Sequence, residues 1–160
     1  MNFVPNNTND LIGRDDDISK IKSWIMDFHK EENENKNALF IDGASGIGKT
    51  ILIDLILEEL KYDVYKVNGL EFKNIKIFHS HCENIMHTKN VLMMLDINIK
   101  KVIVVDELEA INTTDKTIVN ELLYYINENN EKKRGRSKKK KIVRNSNPII
   151  CICNNDKDKK

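Results

Sequence analysis

Apolar positions along the chain fall into short continuous runs and helical repeats. Three such runs, at residues 38–41, 101–105 and 149–153, and an alternating segment at 62–67 predict strands. The run at 101–105 is a near-continuous Val/Ile run, which is typical of a strand buried on both faces. Apolar residues recur at helical spacing in residues 18–28, 49–60, 81–95 and 118–126. Residues 1–12, with Pro5 and an Asn-rich run, predict extended chain. The alternation of strands and helices predicts an α/β fold with a mostly parallel sheet between two layers of helices.

The first predicted strand leads into a glycine-rich loop. Its spacing is G-x-x-x-x-G-K-T, followed at once by a predicted helix; the eight positions are Gly43, Ala44, Ser45, Gly46, Ile47, Gly48, Lys49 and Thr50. Glycines let backbone N–H groups turn toward phosphate oxygens, and the helix N-terminus adds partial positive charge. We expect Lys49 to reach the β- and γ-phosphates and the hydroxyl of Thr50 to bind Mg²⁺. The loop therefore predicts a site for ATP and Mg²⁺.

Polar residues follow the third and fourth predicted strands at their carboxyl ends. Asp106 and Glu107 end the third strand, where we expect Asp106 to hold Mg²⁺, directly or through water, and Glu107 to polarise the attacking water. The fourth strand ends in Asn154, whose amide is placed to touch the γ-phosphate or to orient the water. Asparagine is also a common strand terminator, and the sequence leaves these two interpretations equal.

Charge is distributed unevenly along the 160 residues, although the formal net charge is only +1. Residues 131–160 hold 12 of the 26 Lys and Arg but 3 of the 25 Asp and Glu. The basic run 132–141 indicates sequence-independent contact with DNA phosphates or a nuclear import signal, and a solvated loop is an equal alternative. It contains no aromatic residue on which bases could stack.

Other features of the composition favour an intracellular protein. Apolar runs fall short of the ~20 residues that span a bilayer, and the N-terminus lacks the layout of a signal peptide. Three cysteines, an odd number, favour reduced thiols, and we expect Cys151 and Cys153 to share a packed face of one strand. The cluster His79, His81, Cys82 and His87 fits no usual zinc spacing, so a half-exposed helix face is the better interpretation.

Together these motifs resemble those of the AAA+ clamp-loader ATPases, most closely the large subunit of replication factor C. Residues 43–50 and Asp106-Glu107 match Walker A and Walker B. Residues 2–5 and 10–13 look like the adenine-side motif Lys-Tyr-x-Pro and Asp-Leu-Ile-Gly, with Asn2 and Phe3 replacing Lys and Tyr. Residues 21–25, Ile-Lys-Ser-Trp-Ile, resemble Leu-x-x-Trp-Leu of the first helix. Residues 148–154, Pro-Ile-Ile-Cys-Ile-Cys-Asn, resemble the strand that carries sensor 1.

The resemblance implies a three-layer α/β/α P-loop NTPase core over residues 38–160, with no lid domain. An adenine-side segment and helix occupy residues 1–37, and residues 131–147 are a basic, flexible insertion. Adenine is then expected against Phe3, Pro5 and Ile12. In that family the arginine-finger segment, the fifth core strand and the helical lid follow sensor 1. We therefore expect either a fragment or a subunit completed by another chain, with the phosphate-loop strand at an exposed edge of the sheet.

The resemblance also implies a function: an ATP-binding subunit of a DNA clamp loader, acting in replication and repair. Its expected partners are other clamp-loader subunits, a sliding clamp and primer–template DNA contacted through its phosphates, with no membrane. The expected location is the nucleus or a cytoplasmic site of viral replication. Two alternatives stay open, a lid-less assembly module that does not hydrolyse ATP and another AAA+ ATPase of DNA metabolism, of the initiator type. Hydrolysis by this chain alone is also open, because no arginine finger is recognised.

Overall fold

The computed structural model describes residues 5–28, 37–69, 100–114, 119–120, 122–123, 126 and 147–155. Within them, the helices are α1 (Asp15–Phe28), α2 (Lys49–Glu59) and α3 (Leu108–Thr114), and the strands are β1 (Ala38–Gly43), β2 (Asp63–Asn68), β3 (Lys101–Asp106) and β4 (Ile149–Asn154). A 3-10 turn at Thr8–Asp10 precedes α1. Residues 119, 120, 122, 123 and 126 are also helical.

The described strands form one parallel sheet in the order β1-β4-β3-β2. β4, the last strand along the chain, lies between β1 and β3, and its register pairs Ala38 with Ile149 and Gly43 with Asn154. Parallel strands bring their carboxyl ends to one edge of a sheet. The loop after β1 and the polar residues that end β3 and β4 therefore share that edge.

Side chains of β3 and β4 alternate between two apolar clusters, one on each face of the sheet. One cluster packs the sheet against α1 and α2, and includes Ile25, Ile53, Ile56, Val102, Val104, Ile150 and Ile152. The other packs it against α3 and the helical residues near 122, and includes Ile103, Val105, Ile111, Leu122, Ile149 and Cys151. Burial of both faces explains the unbroken apolar run in β3. The predicted α/β fold, a parallel sheet between two layers of helices, is confirmed.

The predicted elements agree closely with those observed. Each of the four strands is present and ends one or two residues later than predicted. The helices predicted at 18–28 and 49–60 are α1 and α2, and the residues described between 119 and 126 are helical as predicted. The helix predicted at 81–95 and the basic segment 131–146 lie outside the described residues. The short helix α3 was not predicted, because a seven-residue segment has too few apolar repeats to show a period.

The N-terminal segment corrects the prediction of extended chain for residues 1–12, which is wrong at Thr8–Asp10. There Asn7 and Asp10 form a capping box, in which the side chain of each accepts a hydrogen bond from the backbone N–H of the other. Thr8 Oγ1 donates to Glu59 Oε2 over 2.8 Å, and Lys22 Nζ donates to Glu59 Oε1 over 2.7 Å. These bonds fasten the turn to both α1 and α2.

β1 lies at one edge of the described sheet, as expected for the strand that leads into the glycine loop. Phe40 on this strand is 54% exposed, whereas β3 and β4 in the middle of the sheet are almost completely buried. The exposed edge therefore lies next to the loop that the sequence marks for phosphate.

Candidate functional site

The loop between β1 and α2 spans residues 44–48, with Ala44 and Ser45 exposed. Gly46 and Gly48 have φ angles of 78° and 87°, in the left-handed region that costs other residues roughly 1–2 kcal/mol. A Cβ on either would meet nothing within 4 Å, so backbone conformation and not crowding requires glycine at both. Gly48 is the N-cap of α2 and supplies no capping side chain, so the first N–H groups of the helix remain available to an anion.

Lys49 is buried, and its ammonium group lies folded back over its own loop. Nζ donates to the carbonyl oxygens of Gly43 over 2.9 Å and Ala44 over 2.7 Å, and to Oδ1 of Asn154 over 2.8 Å. An ammonium has three protons, so these acceptors use all of them. All three acceptors are neutral carbonyl oxygens, and a negatively charged phosphate oxygen would form a stronger bond to the ammonium in their place.

Thr50 joins the start of α2 to the end of β3. Its Oγ1 donates to Oδ2 of Asp106 over 2.9 Å, and the other carboxylate oxygen accepts the backbone N–H of Glu107 over 2.9 Å. Hydroxyl and carboxylate oxygens are the ligands that Mg²⁺ takes. The donor set at this position therefore fits a Mg²⁺ ion.

Glu107 has a φ of 53°, which is uncommon for a residue other than glycine and is often associated with functional sites. Its Oε2 is buried and accepts no hydrogen bond from the part of the chain that the structure describes. Burying an unpaired carboxylate oxygen is costly, so such an atom is a natural acceptor for a water or ligand proton. The backbone turn at Glu107 thus places an available acceptor next to Asp106.

Asn154 connects the loop to a residue that the sequence did not single out. Its backbone N–H donates to Glu109 Oε2 over 3.0 Å, and its side-chain Nδ2 donates to Glu109 Oε1. Burial alone would raise the pKa of Glu109, but hydrogen bonds from the backbone and side chain of Asn154, from the backbone of Glu109 itself and from Cys153 together lower that pKa. Glu109 was missed because it lies in α3, which the sequence did not predict, and no pattern distinguishes it from other acids near a helix start.

The end of β4 is also fastened to β1. The backbone N–H of Asn155 donates to the Gly43 carbonyl over 3.0 Å, and its side-chain Nδ2 donates to Asp42 Oδ2 over 2.9 Å. Asn154, the last residue of β4, and Asn155 after it therefore both form hydrogen bonds with residues of the loop region.

The other side of the loop borders a cavity of about 280 Å³, whose lining includes Pro5, Leu11, Ile12, Ile47 and Ile51. Ile12 is 97% exposed and Ile47 and Ile51 are about half exposed, so an aliphatic wall faces solvent. Arg14 Nη2 donates to the Ile47 carbonyl over 3.2 Å and ties the N-terminal segment to the loop. The structure thus brings Pro5 and Ile12 to the site, and Phe3 lies outside the described residues.

The two cysteines of β4 differ in exposure. Cys151 is fully buried in the core, where burial raises the pKa of its thiol to about 12. Cys153, on the same face, is half buried, and burial, followed by the charge of Glu109, raises its pKa. Both thiols are free. Core packing is thus confirmed for Cys151 and only in part for Cys153.

Several predicted features cannot be placed. The cluster of His79, His81, Cys82 and His87 and the basic run 132–141 lie outside the described residues. Within the described ranges, no three His, Cys, Asp or Glu side chains are grouped as metal ligands. No helix in these ranges is both long and apolar enough to cross a bilayer.

Comparisons with known proteins place this chain among ATPases. The profile of the AAA family, the ATPase family associated with various cellular activities, matches residues 38–159. Replication factor C subunit 1 of Schizosaccharomyces pombe is 23% identical in an alignment that covers 95% of this chain and 17% of that protein. The putative replication factor C large subunit of Acanthamoeba polyphaga mimivirus is 32% identical over 62 residues, which cover 38% of this chain and 12% of that protein. The chain thus spans less than a fifth of the length of these relatives.

A solved structure shows the same fold. The ORC2 protein of Aeropyrum pernix, in ADPNP and ADP complexes, superposes with a TM-score of 0.61 at 13% identity, over 96% of this chain and 43% of that one. The resemblance of the motifs to the replication factor C large subunit is confirmed as a similarity along nearly the whole chain. Because the family profile matches most of the sequence, from β1 to beyond β4, the chain belongs to the AAA family of ATPases.

Proposed function

We propose that the chain is an ATP-binding subunit of a DNA clamp loader, which couples ATP binding and hydrolysis to the loading of a sliding clamp on primed DNA. Its membership of the AAA family and its similarity to replication factor C subunits support this class. The observation that carries the proposal is a pair of side-chain hydrogen bonds at the edge of the sheet where the strands have their carboxyl ends. Lys49 bonds to Asn154 over 2.8 Å, and Thr50 bonds to Asp106 over 2.9 Å.

In this proposal the phosphates of ATP lie against the loop of residues 44–48 and the first turn of α2. Lys49 exchanges its bonds to the Gly43 and Ala44 carbonyls and to Oδ1 of Asn154 for bonds to phosphate oxygens. Thr50 and Asp106 hold Mg²⁺, which when bound offsets negative charge on the phosphates. The base lies on the aliphatic wall of the cavity near Pro5 and Ile12, with Phe3 as a further contact.

Hydrolysis requires a water aligned with the γ-phosphate, and two side chains are assigned to it. Glu107 accepts a proton or hydrogen bond from that water through its unpaired Oε2. Asn154 lies next to Lys49 and contacts either the γ-phosphate or the same water. Both side chains come from strands whose ends the sheet order brings beside the loop.

Partners and location are further parts of the proposal. They are other clamp-loader subunits, a sliding clamp and primer–template DNA bound through its phosphates, with roles in replication and repair. The relatives named as replication factor C subunits support these assignments. One relative is from a yeast and one from a large virus, which is compatible with action in a nucleus or at a viral replication site.

Nucleotide binding by the purified chain tests the site directly. A fluorescent ATP analogue with Mg²⁺ should bind the wild type with micromolar affinity, and Lys49→Ala should weaken binding by about 100-fold or more, because charge-assisted bonds contribute ~1.5–3 kcal/mol each. Lys66→Ala is the matched control, since Lys66 is an exposed lysine that pairs with Asp54 at the surface. Micromolar affinity retained by Lys49→Ala would contradict the site.

Clamp binding and turnover test the rest of the proposal. The chain should retain a sliding clamp on affinity beads with ATP and release it with ADP, and steady-state ATPase should rise when clamp and primed DNA are added. ATP binding with no clamp retention would contradict a clamp loader and favour an initiator-type ATPase. Clamp retention without any turnover would indicate a non-hydrolysing assembly module.

A further inference from the structure

The amide of Asn154 lies between two groups that each accept only one orientation of it. On one side is the Glu109 carboxylate, which accepts from both the backbone N–H and Nδ2 of Asn154. On the other side is the Lys49 ammonium, which donates to Oδ1 over 2.8 Å. An ionised carboxylate has no proton to donate, and an ammonium has no lone pair to accept with. The two neighbours therefore impose the same orientation, with the amide nitrogen toward Glu109 and the oxygen toward the loop.

This arrangement has consequences for ATP. When Lys49 turns to phosphate, Oδ1 of Asn154 loses its donor, but the amide nitrogen remains held by Glu109. The group left facing the site is then an oxygen, which accepts a hydrogen bond from water and repels a phosphate oxygen. Without Glu109, the amide is free to rotate and to present its nitrogen to the phosphate instead.

The turn at Glu107 explains how Glu109 reaches this position. Glu107 adopts the left-handed conformation, and α3 begins at the next residue. Glu109 is therefore in the first turn of α3, and α3 packs on the second apolar cluster through Ile111, above β4. The same backbone turn that places Glu107 next to Asp106 also carries Glu109 to the end of β4.

From this geometry, and resting on the proposed function, we propose that Glu109 is a positioning residue that fixes the Asn154 amide so that its oxygen faces the γ-phosphate site. Asn154 then acts as a hydrogen-bond acceptor for the water and not as a donor to phosphate. Glu109 itself touches neither nucleotide nor metal, and it acts through Asn154 alone.

Substitutions at Glu109 separate polarity from packing. Glu109→Gln keeps the size of the side chain but replaces one acceptor oxygen with a donor, and Glu109→Ala removes both acceptors. If Glu109 orients the amide, the two variants should behave alike; if it only fills space, Glu109→Gln should resemble the wild type. Glu58→Gln, at an exposed position of α2, is the matched control.

Two measurements on the full chain read the result. Side-chain amide resonances of Asn154, identified by their loss in Asn154→Ala, should lie downfield in the nucleotide-free wild type and return to the free-amide region in both Glu109 variants. The preference for ATP over ADP should rise about 10-fold in Glu109→Gln and Glu109→Ala, because the released amide nitrogen can donate to the γ-phosphate, and 10-fold is the scale of one hydrogen bond to a charged group. The double variant Glu109→Ala/Asn154→Ala should have the same preference for ATP over ADP as Asn154→Ala, because it has no amide to rotate.

Either of two results would overturn the proposal: Asn154 resonances that do not move in the Glu109 variants, or a raised preference for ATP that persists in the double variant. Failure of the proposed function looks different. In that case the wild type binds no ATP, while the amide resonances still report whether Glu109 holds Asn154.

Discussion

Gly69 lies against Glu107 so closely that a Cβ on the glycine would stand 2.3 Å from the Glu107 carbonyl oxygen and 3.2 Å from its carbonyl carbon. The N–H of Gly69 also donates to the Asp106 carbonyl over 2.9 Å. The end of β2 is thus packed on the backbone of both acids that follow β3. Gly69, which lies outside the loop motif, therefore helps to position Asp106, the proposed metal ligand, and Glu107, the proposed acceptor for water.

Replacing Gly69 should damage the site through this contact. In Gly69→Ala the backbone of Glu107 must shift, and we expect a loss of ~1–3 kcal/mol in the free energy of unfolding, the usual cost of overpacking. Binding of Mg²⁺–ATP should weaken in parallel. Urea denaturation and nucleotide titration measure the two effects.

The control for this variant is Gly13→Ala. Gly13 has a φ of 73° but open space around its Cβ position, so this variant carries only backbone strain, ~1 kcal/mol. If the free energy of unfolding falls equally in both variants, the close approach of Gly69 to Glu107 makes no additional contribution to stability.

The contact between Thr50 and Asp106 predicts that these two residues account for the Mg²⁺ dependence of ATP binding. Thr50→Val keeps the shape of the side chain but removes the hydroxyl, and Asp106→Asn removes the negative charge. Both variants should lose most of the affinity for ATP that Mg²⁺ adds, while the affinity measured in EDTA stays near that of the wild type. Isothermal titration calorimetry with Mg²⁺ and with EDTA measures the two affinities. A loss of ATP affinity that is as large in EDTA as in Mg²⁺ would refute a role of Thr50 and Asp106 in metal binding.

Lys61 offers a stabilising change away from the site. α2 ends in a Schellman motif, in which the N–H of Lys61 bonds to the Glu58 carbonyl and that of Tyr62 to the Leu57 carbonyl, each over 3.0 Å. Lys61 has a φ of 55°, where glycine is favoured, so Lys61→Gly should raise the free energy of unfolding by ~0.5–1 kcal/mol.

The opposite sign is expected at Lys20, an exposed position inside α1. Lys20→Gly should lower the free energy of unfolding by about 1 kcal/mol, because glycine is a poor helix former. Thermal unfolding of the two variants side by side tests the assignment. Destabilisation by both would show that the end of α2 is not strained at Lys61.

The thiols of β4 should differ in their reaction with iodoacetamide. The thiolate is the reactive form, and the raised pKa of Cys153 means that less thiolate is present at a given pH, so its labelling rate should keep increasing above pH ~9. Cys151, with a pKa of about 12 and no exposed surface, should react only when the chain unfolds.

Peptide mapping by mass spectrometry distinguishes the two sites. Glu109→Gln removes a charge that raises the pKa of Cys153, so labelling of Cys153 should become faster at pH 8 in this variant. Labelling of Cys151 in the folded chain at the rate of Cys153 would contradict the buried position of β4.

Much of the candidate site was predictable because its signals are local. The spacing of Gly43, Gly48 and Lys49 requires only that a strand, a turn and a helix follow one another, and side chains within a few residues decide that. The apolar run before Asp106 likewise indicated a buried strand ending in an acid. Glu109 and Gly69 could not be predicted, since their roles depend on contacts with residues that the sequence does not mark as neighbours.

The sequence by itself determined the strands, the glycine loop and the residue types available for phosphate and metal, because backbone conformation and apolar periodicity depend on near neighbours. Only the tertiary structure decided which strand ends meet. β4, the last strand, lies between β1 and β3, and this brings Asn154 against Lys49, 105 residues earlier in the chain. Strand order follows from how helices cover both faces of the sheet, and such packing is a property of the whole fold.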